Sequence, residues 1–192
     1  MPQKIDRKKF LQLSLLAPMS LATKPLQFLV EENQPFSFPG NSDNVIYYKA
    51  GDAEYEQLRK GFNRRIDKHP AIIALCKNTN GVSEAINHAA NNSLPIAVKS
   101  GGHCMEGFSC NNGGMVINMS AMKSIEWTDS DTVKLNPGCT LAEIYNALLP
   151  KKKIIPGGSC AGVGIGGLVL GGGYGLMARK FGLTCDSLQS VT

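Results

Sequence analysis

The sequence predicts an α+β fold: a β-α-β unit followed by short mixed or antiparallel strands. Three observations predict it. Two apolar runs flank a segment whose apolar residues recur at helical spacing. Several short alternating runs then follow one another between turn signals. With 43% hydrophobic and 18% charged residues over 192 positions, the chain has the composition of a globular domain with one good core.

The elements follow in order. A polar, Pro-containing stretch occupies residues 31–44. After Pro70, the run Ala71-Ile72-Ile73-Ala74-Leu75-Cys76 reads as a strand that stops at Asn78-Thr79-Asn80-Gly81. Val82, Ala85, Ile86, Ala89 and Ala90 then line one helical face, ending at Asn91-Asn92-Ser93. A second strand, Leu94-Pro95-Ile96-Ala97-Val98, leads into Lys99-Ser100-Gly101-Gly102-His103. A crossover of this kind predicts two parallel, neighbouring strands, with the glycine loop at a carboxyl end where open α/β sheets bind ligands. Residues 115–119, 124–128 and 132–135 read as short antiparallel strands. Thr140-x-x-Glu143 is a capping box, and Leu141, Ile144, Tyr145 and Leu148 give its helix one apolar face before Pro150. Ile154-Ile155 reads as a further short strand, and Lys151-Lys152-Lys153 as a solvated turn.

Residues 1–22 read as a signal peptide: a basic cluster, an apolar stretch too short to span a bilayer, and Ser20-Leu21-Ala22 as the cleavage site. Arg7-Lys8-Lys9-Phe10-Leu11-Gln12 also resembles the twin-arginine export signal, with lysine as its second basic residue. The expectation is export to the periplasm or beyond; the alternative is a cytoplasmic protein with an amphipathic N-terminus. This leader supplies three of the five net positive charges, so the remainder, near +2, calls for no nucleic-acid partner. No other segment reaches transmembrane length, and the sequence leaves the oligomeric state open. Six cysteines permit disulfides in an exported chain, but no C-x-x-C or histidine pair has metal-ligand spacing, so no metal site is expected.

Two stretches carry the chemistry. In KSGGHCMEGFSC, residues 99–110, a histidine follows two glycines and stands beside two cysteines. Metal ligand, catalytic base, phosphate loop and covalent anchor are all open from this stretch alone. In residues 157–182, eleven of the chain's twenty-one glycines gather. An interior helical glycine costs about 1 kcal/mol, so such density predicts neither an ordinary helix nor a strand. Val163, Ile165, Leu168, Val169 and Leu170 make it too apolar for a flexible linker. Gly162-x-Gly164-x-x-Gly167 matches the dinucleotide fingerprint, but Gly157-Gly158-Ser159-Cys160-Ala161 stands where a strand should lead directly into it. Two glycine loops able to aim backbone N–H groups at one anion suit a cofactor bearing a pyrophosphate.

The order KSGGHCMEGFS, then GGMVINMSAMKSI, then PGGSCAGVGIGGLVLGGGYGLMARKFGLTCDSL resembles the FAD-binding PCMH-type domain of the vanillyl-alcohol oxidase and p-cresol methylhydroxylase superfamily, and within it the berberine bridge enzyme-like oxidases. The resemblance spans residues 62–192, behind an N-terminal segment of residues 23–61. It implies FAD bonded covalently through a ring nitrogen of His103 to the flavin's benzenoid methyl. A neutral imidazole is a competent nucleophile, and the bond would raise the flavin's potential. The competing reading is a loop histidine bonded to a neighbouring carbonyl. Cys160 matches the position of a second, thioether link in part of the family, although Ala161 and Leu168 depart from that subset's usual proline and histidine. Ser100, Gly101 and Gly102, beside Lys99, would cradle the pyrophosphate, with a hydroxyl from Ser109. Gly158, Ser159, Gly164 and Gly167 would face the flavin or its ribityl chain. Tyr174 could reach the cofactor or pack as a core aromatic, while Cys104, Cys110 and Cys185 read as packing residues.

The expected activity is therefore that of an FAD-linked oxidase taking hydride from a small-molecule C–H, on a sugar or alcohol, with reoxidation by O2. Family members run longer, with a substrate domain that carries the catalytic base, so the chain is expected to be an N-terminal part whose FAD domain is incomplete at its C-terminus. Two other classes stay open: an exported, disulfide-stabilised module that binds a phosphate ligand, and a nicotinamide-dependent dehydrogenase built on residues 162–167.

Overall fold

The computed structural model describes residues 37–191; the expected signal peptide at residues 1–22 lies outside them. Among the described residues, six strands and five α-helices are formed: β1 (Val45–Tyr48), α1 (Tyr55–Arg59), β2 (Ile72–Cys76), α2 (Thr79–Asn91), β3 (Ile96–Lys99), β4 (Met115–Asn118), β5 (Ile125–Trp127), β6 (Val133–Leu135), α3 (Leu141–Leu148), α4 (Ile165–Leu170) and α5 (Ala178–Phe181).

The main sheet has the order β1-β2-β4-β3. Strands β2, β4 and β3 run parallel, and β1 closes the β2 edge antiparallel. The β-α-β unit is present, but its strands are not neighbours, because β4 lies between them. Burial explains the insertion. All four β4 residues are buried, as a central parallel strand covered on both faces requires. In β3, by contrast, Ile96 and Val98 are 43% and 53% exposed, which suits an edge. The expectation of an antiparallel strand at residues 115–119 is thus corrected, while β5 and β6 do pair antiparallel as expected. Ile154-Ile155 is not a strand, and Ile154 is exposed.

The segment ahead of residue 62 contributes to the sheet through β1 and to its core through α1. Tyr55, Ile73, Ala97, Cys110 and Val116 cluster there, flanked by Tyr48 and Leu58. Each fully buried apolar side chain in such a cluster contributes about 2 kcal/mol. A second cluster joins Cys139, Ile144, Leu148 and Ile165 to the β5–β6 hairpin through Ile125, Trp127, Val133 and Leu135. Helix α3 begins with the expected capping box, in which Thr140 Oγ1 accepts from the Glu143 N–H while a Glu143 carboxylate oxygen accepts from the Thr140 N–H.

Two glycine-bearing segments are helical where the sequence suggested a stop. Asn78-Thr79-Asn80-Gly81 opens α2, with Asn78 Oδ1 accepting from the Gly81 N–H at 3.0 Å. Helix α4 contains Gly166 and Gly167 despite their propensity, since Gly166 lies so close to Pro137 that a Cβ would sit 3.0 Å from it. Tight tertiary packing overrides the local cost.

Gly81 gives a test of such packing. In an open helix Gly→Ala gains about 1 kcal/mol, but a Cβ at Gly81 would collide with the Asn44 carbonyl oxygen and press on Val45. Gly81→Ala is expected to destabilise the fold by about 1–3 kcal/mol in urea titration; a stabilised variant would contradict the close approach.

Candidate functional site

Strands β3 and β4 are parallel, so both carboxyl ends open on one edge of the sheet. The loop 100–103 leaves β3 there, and Asn118-Met119-Ser120 leaves β4 beside it. Lys99, Ser100 and Gly101 line a solvent-open cleft together with Gly162 from the second glycine-rich stretch. Asn118, Ser120, Gly138 and Thr140 complete its wall, with Lys60 and Lys123 at its rim. None of these last six was expected at the site from the sequence, where Thr140 stood out only as a helix cap. Reading residues 115–118 as a parallel strand would have found Asn118 and Ser120 by the carboxyl-end rule already applied to β3.

Main-chain contact locks the two glycine loops together. A Cβ on Gly101 would sit 2.6 Å from the Gly162 carbonyl oxygen and strike the Gly164 nitrogen; one on Gly164 would strike the Ser100 hydroxyl. The Ser100 hydroxyl donates to the Pro137 carbonyl at 2.6 Å, drawing in the turn that precedes α3. Gly102 adopts φ +71°, a region that favours glycine, and its carbonyl accepts from the Phe62 N–H at 2.8 Å. Among the described residues, the main-chain N–H groups of residues 100–104 and 157–162 donate to no protein acceptor. Two adjacent rows of unspent donors are what an anionic or multiply accepting ligand needs.

His103 stands at the meeting point. Its ring stacks on Phe62 with centroids 4.6 Å apart and planes 18° from parallel. Its Nε2 atom lies against Gly162, where a Cβ would come within 3.0 Å. Burial lowers the imidazole pKa from its ordinary value, favouring the neutral, nucleophilic form. Cys160 is exposed on the loop two residues before Gly162. Gly158 is held by its carbonyl, which accepts from the Tyr145 hydroxyl at 2.9 Å, and Ser159 is exposed beside it.

Lys99 is buried to 7% exposure, and its ammonium donates to the Leu58 and Lys60 carbonyls at 2.5 and 2.6 Å. Two of its three N–H bonds thus fix the end of α1 against the loop. The flanking lysines are each paired, Lys60 with Glu56 at 3.2 Å and Lys123 with Glu143 at 2.6 Å. The rim is therefore mildly basic rather than a strong positive field.

Some expected residues lie elsewhere. Ser109 lines a separate small hollow with Arg59, Lys68 and Gly107. Gly167 is exposed on α4, where an added Cβ would meet nothing, and Gly164 is buried against Ser100 and Gly101. Tyr174 is 73% exposed rather than a core aromatic. Cys110 packs in the core, whereas Cys104 and Cys185 are only partly buried, and the six cysteines form no disulfide. Residues 162–167 lack the dinucleotide motif's setting, since a loop and not a strand precedes them. Among the described residues no three His, Cys, Asp or Glu side chains gather as a metal site, and no helix is long and apolar enough to cross a membrane.

Residues 70–192 match the family model described as FAD binding domain. The chain is 40% identical over 144 residues to the aclacinomycin-N/aclacinomycin-A oxidase of Streptomyces galilaeus, an alignment covering 73% of this chain and 26% of the relative. It is 34% identical over 145 residues to the chitooligosaccharide oxidase of Gibberella zeae, covering 74% and 30%. The crystal structure of aclacinomycin oxidoreductase superposes with a TM-score of 0.68 at 38% identity, over 74% of this chain and 30% of that one. The matched part of the chain thus spans 26–30% of the length of these relatives.

The buried lysine predicts a pH signature. Desolvation, its main cause, lowers the Lys99 pKa to about 8. The unfolded lysine keeps its proton to higher pH, so between about pH 8 and 10 folding releases a proton and stability rises with pH. Urea titrations are expected to show this gain in the wild type relative to Lys99→Met; parallel pH dependences in the two proteins would contradict it.

Proposed function

Because the chain belongs to the FAD-binding-domain family of the berberine bridge enzyme-like, FAD-linked oxidoreductases, we propose that it is the cofactor-holding part of an FAD-linked oxidase. The observation that carries this reading is the pair of main-chain-locked glycine loops, with their unspent N–H groups, converging on His103. The chain fits such a group: Gly101 and Gly162 present bare main chain to the cleft, and the donors suit a pyrophosphate.

In this reading FAD, when bound, supplies a two-electron acceptor for hydride from a substrate C–H, and molecular oxygen takes the electrons on as peroxide. The N–H groups of Ser100, Gly101 and Gly102 hold the pyrophosphate, and those of Gly158 and Ser159 face the flavin side. The hydroxyl of Ser100 is already committed to Pro137, so its part is to set the loop rather than to bind. Lys99 acts in the same way, by fixing the loop against the end of α1. Ser109, Gly164 and Gly167 take no ligand role in this arrangement. His103 is the covalent tether: its burial favours the neutral imidazole, and its Nε2 edge faces a residue with no side chain. Cys160, exposed on the same loop, is the second tether. A sugar or a related alcohol is the substrate class, as the chitooligosaccharide oxidase among the relatives favours. Export through the leader, by the twin-arginine route that carries folded proteins, would let the cofactor be attached beforehand.

Acid precipitation of the protein from its complete gene tests the reading. A yellow pellet is expected. His103→Ala and Cys160→Ala are each expected to retain one flavin bond by mass, and the double variant none. A colourless pellet with free flavin in the supernatant would remove the tethers, and the absence of any flavin would sink the oxidase assignment.

A further inference from the structure

Phe62 lies outside every glycine motif, and at 58% exposure it contributes little to the core. Its ring nevertheless stacks on His103 at 4.6 Å and 18°. The approach is held on both sides. The Phe62 N–H donates to the Gly102 carbonyl at 2.8 Å, and Gly61 passes so near that a Cβ there would stand 2.8 Å from the same oxygen. The chain just upstream is pinned by the Lys99 ammonium through the Leu58 and Lys60 carbonyls. Gly162 lies at the Nε2 edge of the imidazole. The ring is therefore confined between an aromatic shelf and a bare main chain.

We propose that Phe62 is a positioning residue that holds the plane of the His103 imidazole, shields one of its faces from water and so prepares it for covalent attachment of the flavin. This rests on the tether reading above. In the attachment, a methyl C–H and an imidazole N–H are lost and one N–C bond forms. The two protons and two electrons released leave with molecular oxygen as hydrogen peroxide, the oxidant already named for the oxidase. The shelf takes no part in that chemistry. Its contribution is to remove ring orientations that cannot react and to disfavour hydration of the nucleophile.

Phe62→Leu and Phe62→Tyr, prepared in the intact protein without flavin and mixed with FAD under air, distinguish the possibilities. Both keep the main-chain bond to Gly102, and the side chain is exposed, so the fold is expected to survive. The leucine variant is expected to acquire acid-stable flavin roughly threefold to tenfold more slowly, the scale of one aromatic stacking contact. Tyrosine, which restores the flat ring, is expected to recover the wild-type rate. In the flavin-free protein, the His103 ring-proton resonance should lose its aromatic ring-current shift in the leucine variant and keep it in the tyrosine variant. Attachment at the wild-type rate in Phe62→Leu, or an unmoved His103 resonance, would overturn the shelf while leaving the tether intact. A wild type that never acquires acid-stable flavin would instead overturn the tether reading, and this inference with it.

Discussion

Gly101 and Gly164 meet main chain to main chain, and nothing larger than hydrogen fits between them. The cleft depends on that contact. It sets the loop after β3 against the loop before α4, brings Gly162 beside His103, and leaves Ser100 only the Pro137 carbonyl as a partner for its hydroxyl. The sheet supplies the other half of the constraint. Because β4 lies between β2 and β3 and runs with them, two loops leave the same edge side by side rather than one alone. The contact and the strand order together turn a glycine-rich sequence into a shaped wall of amides.

This wall is built from absences of side chain, which explains what could and could not be read in advance. The pairing of SGGH with the later glycine stretch was legible, because so many glycines in an apolar setting require something packed against the backbone. Helices α2 and α3 were legible from periodicity and from a capping box. The direction of β4 was not, since four apolar residues describe a buried strand but not which neighbour it joins. Phe62, Gly138 and Lys60 were also hidden, because each reaches the site by a contact across the fold. Helix α1, five residues long and without a side-chain cap, offers little local signal. Gly164 and Gly167 illustrate the limit of motif spacing: three residues apart in one pattern, one is packed against Ser100 and Gly101 and the other faces open space.

Charge plays a smaller part than the number of nearby lysines suggests. Lys99 spends its ammonium on carbonyls, and Lys60 and Lys123 are paired with glutamates. In the reading proposed above, affinity for an anion would come chiefly from main-chain dipoles, which salt screens less than it screens exposed charges. The fold commits its one buried cation near the site to architecture.

The distribution of the thiols has a practical side. Burial pushes Cys76 up to about 12 and raises Cys110 and Cys139 as well, so these three are poor nucleophiles under ordinary conditions. Cys104 and Cys185 are partly screened, and Cys160 is exposed on the loop two residues before Gly162. In the flavin-free protein a bulky thiol reagent applied briefly therefore meets Cys160 first, so a single alkylated position would carry a reporter, a crosslinker or a heavy atom onto the second glycine loop without prior mutagenesis of the remaining five.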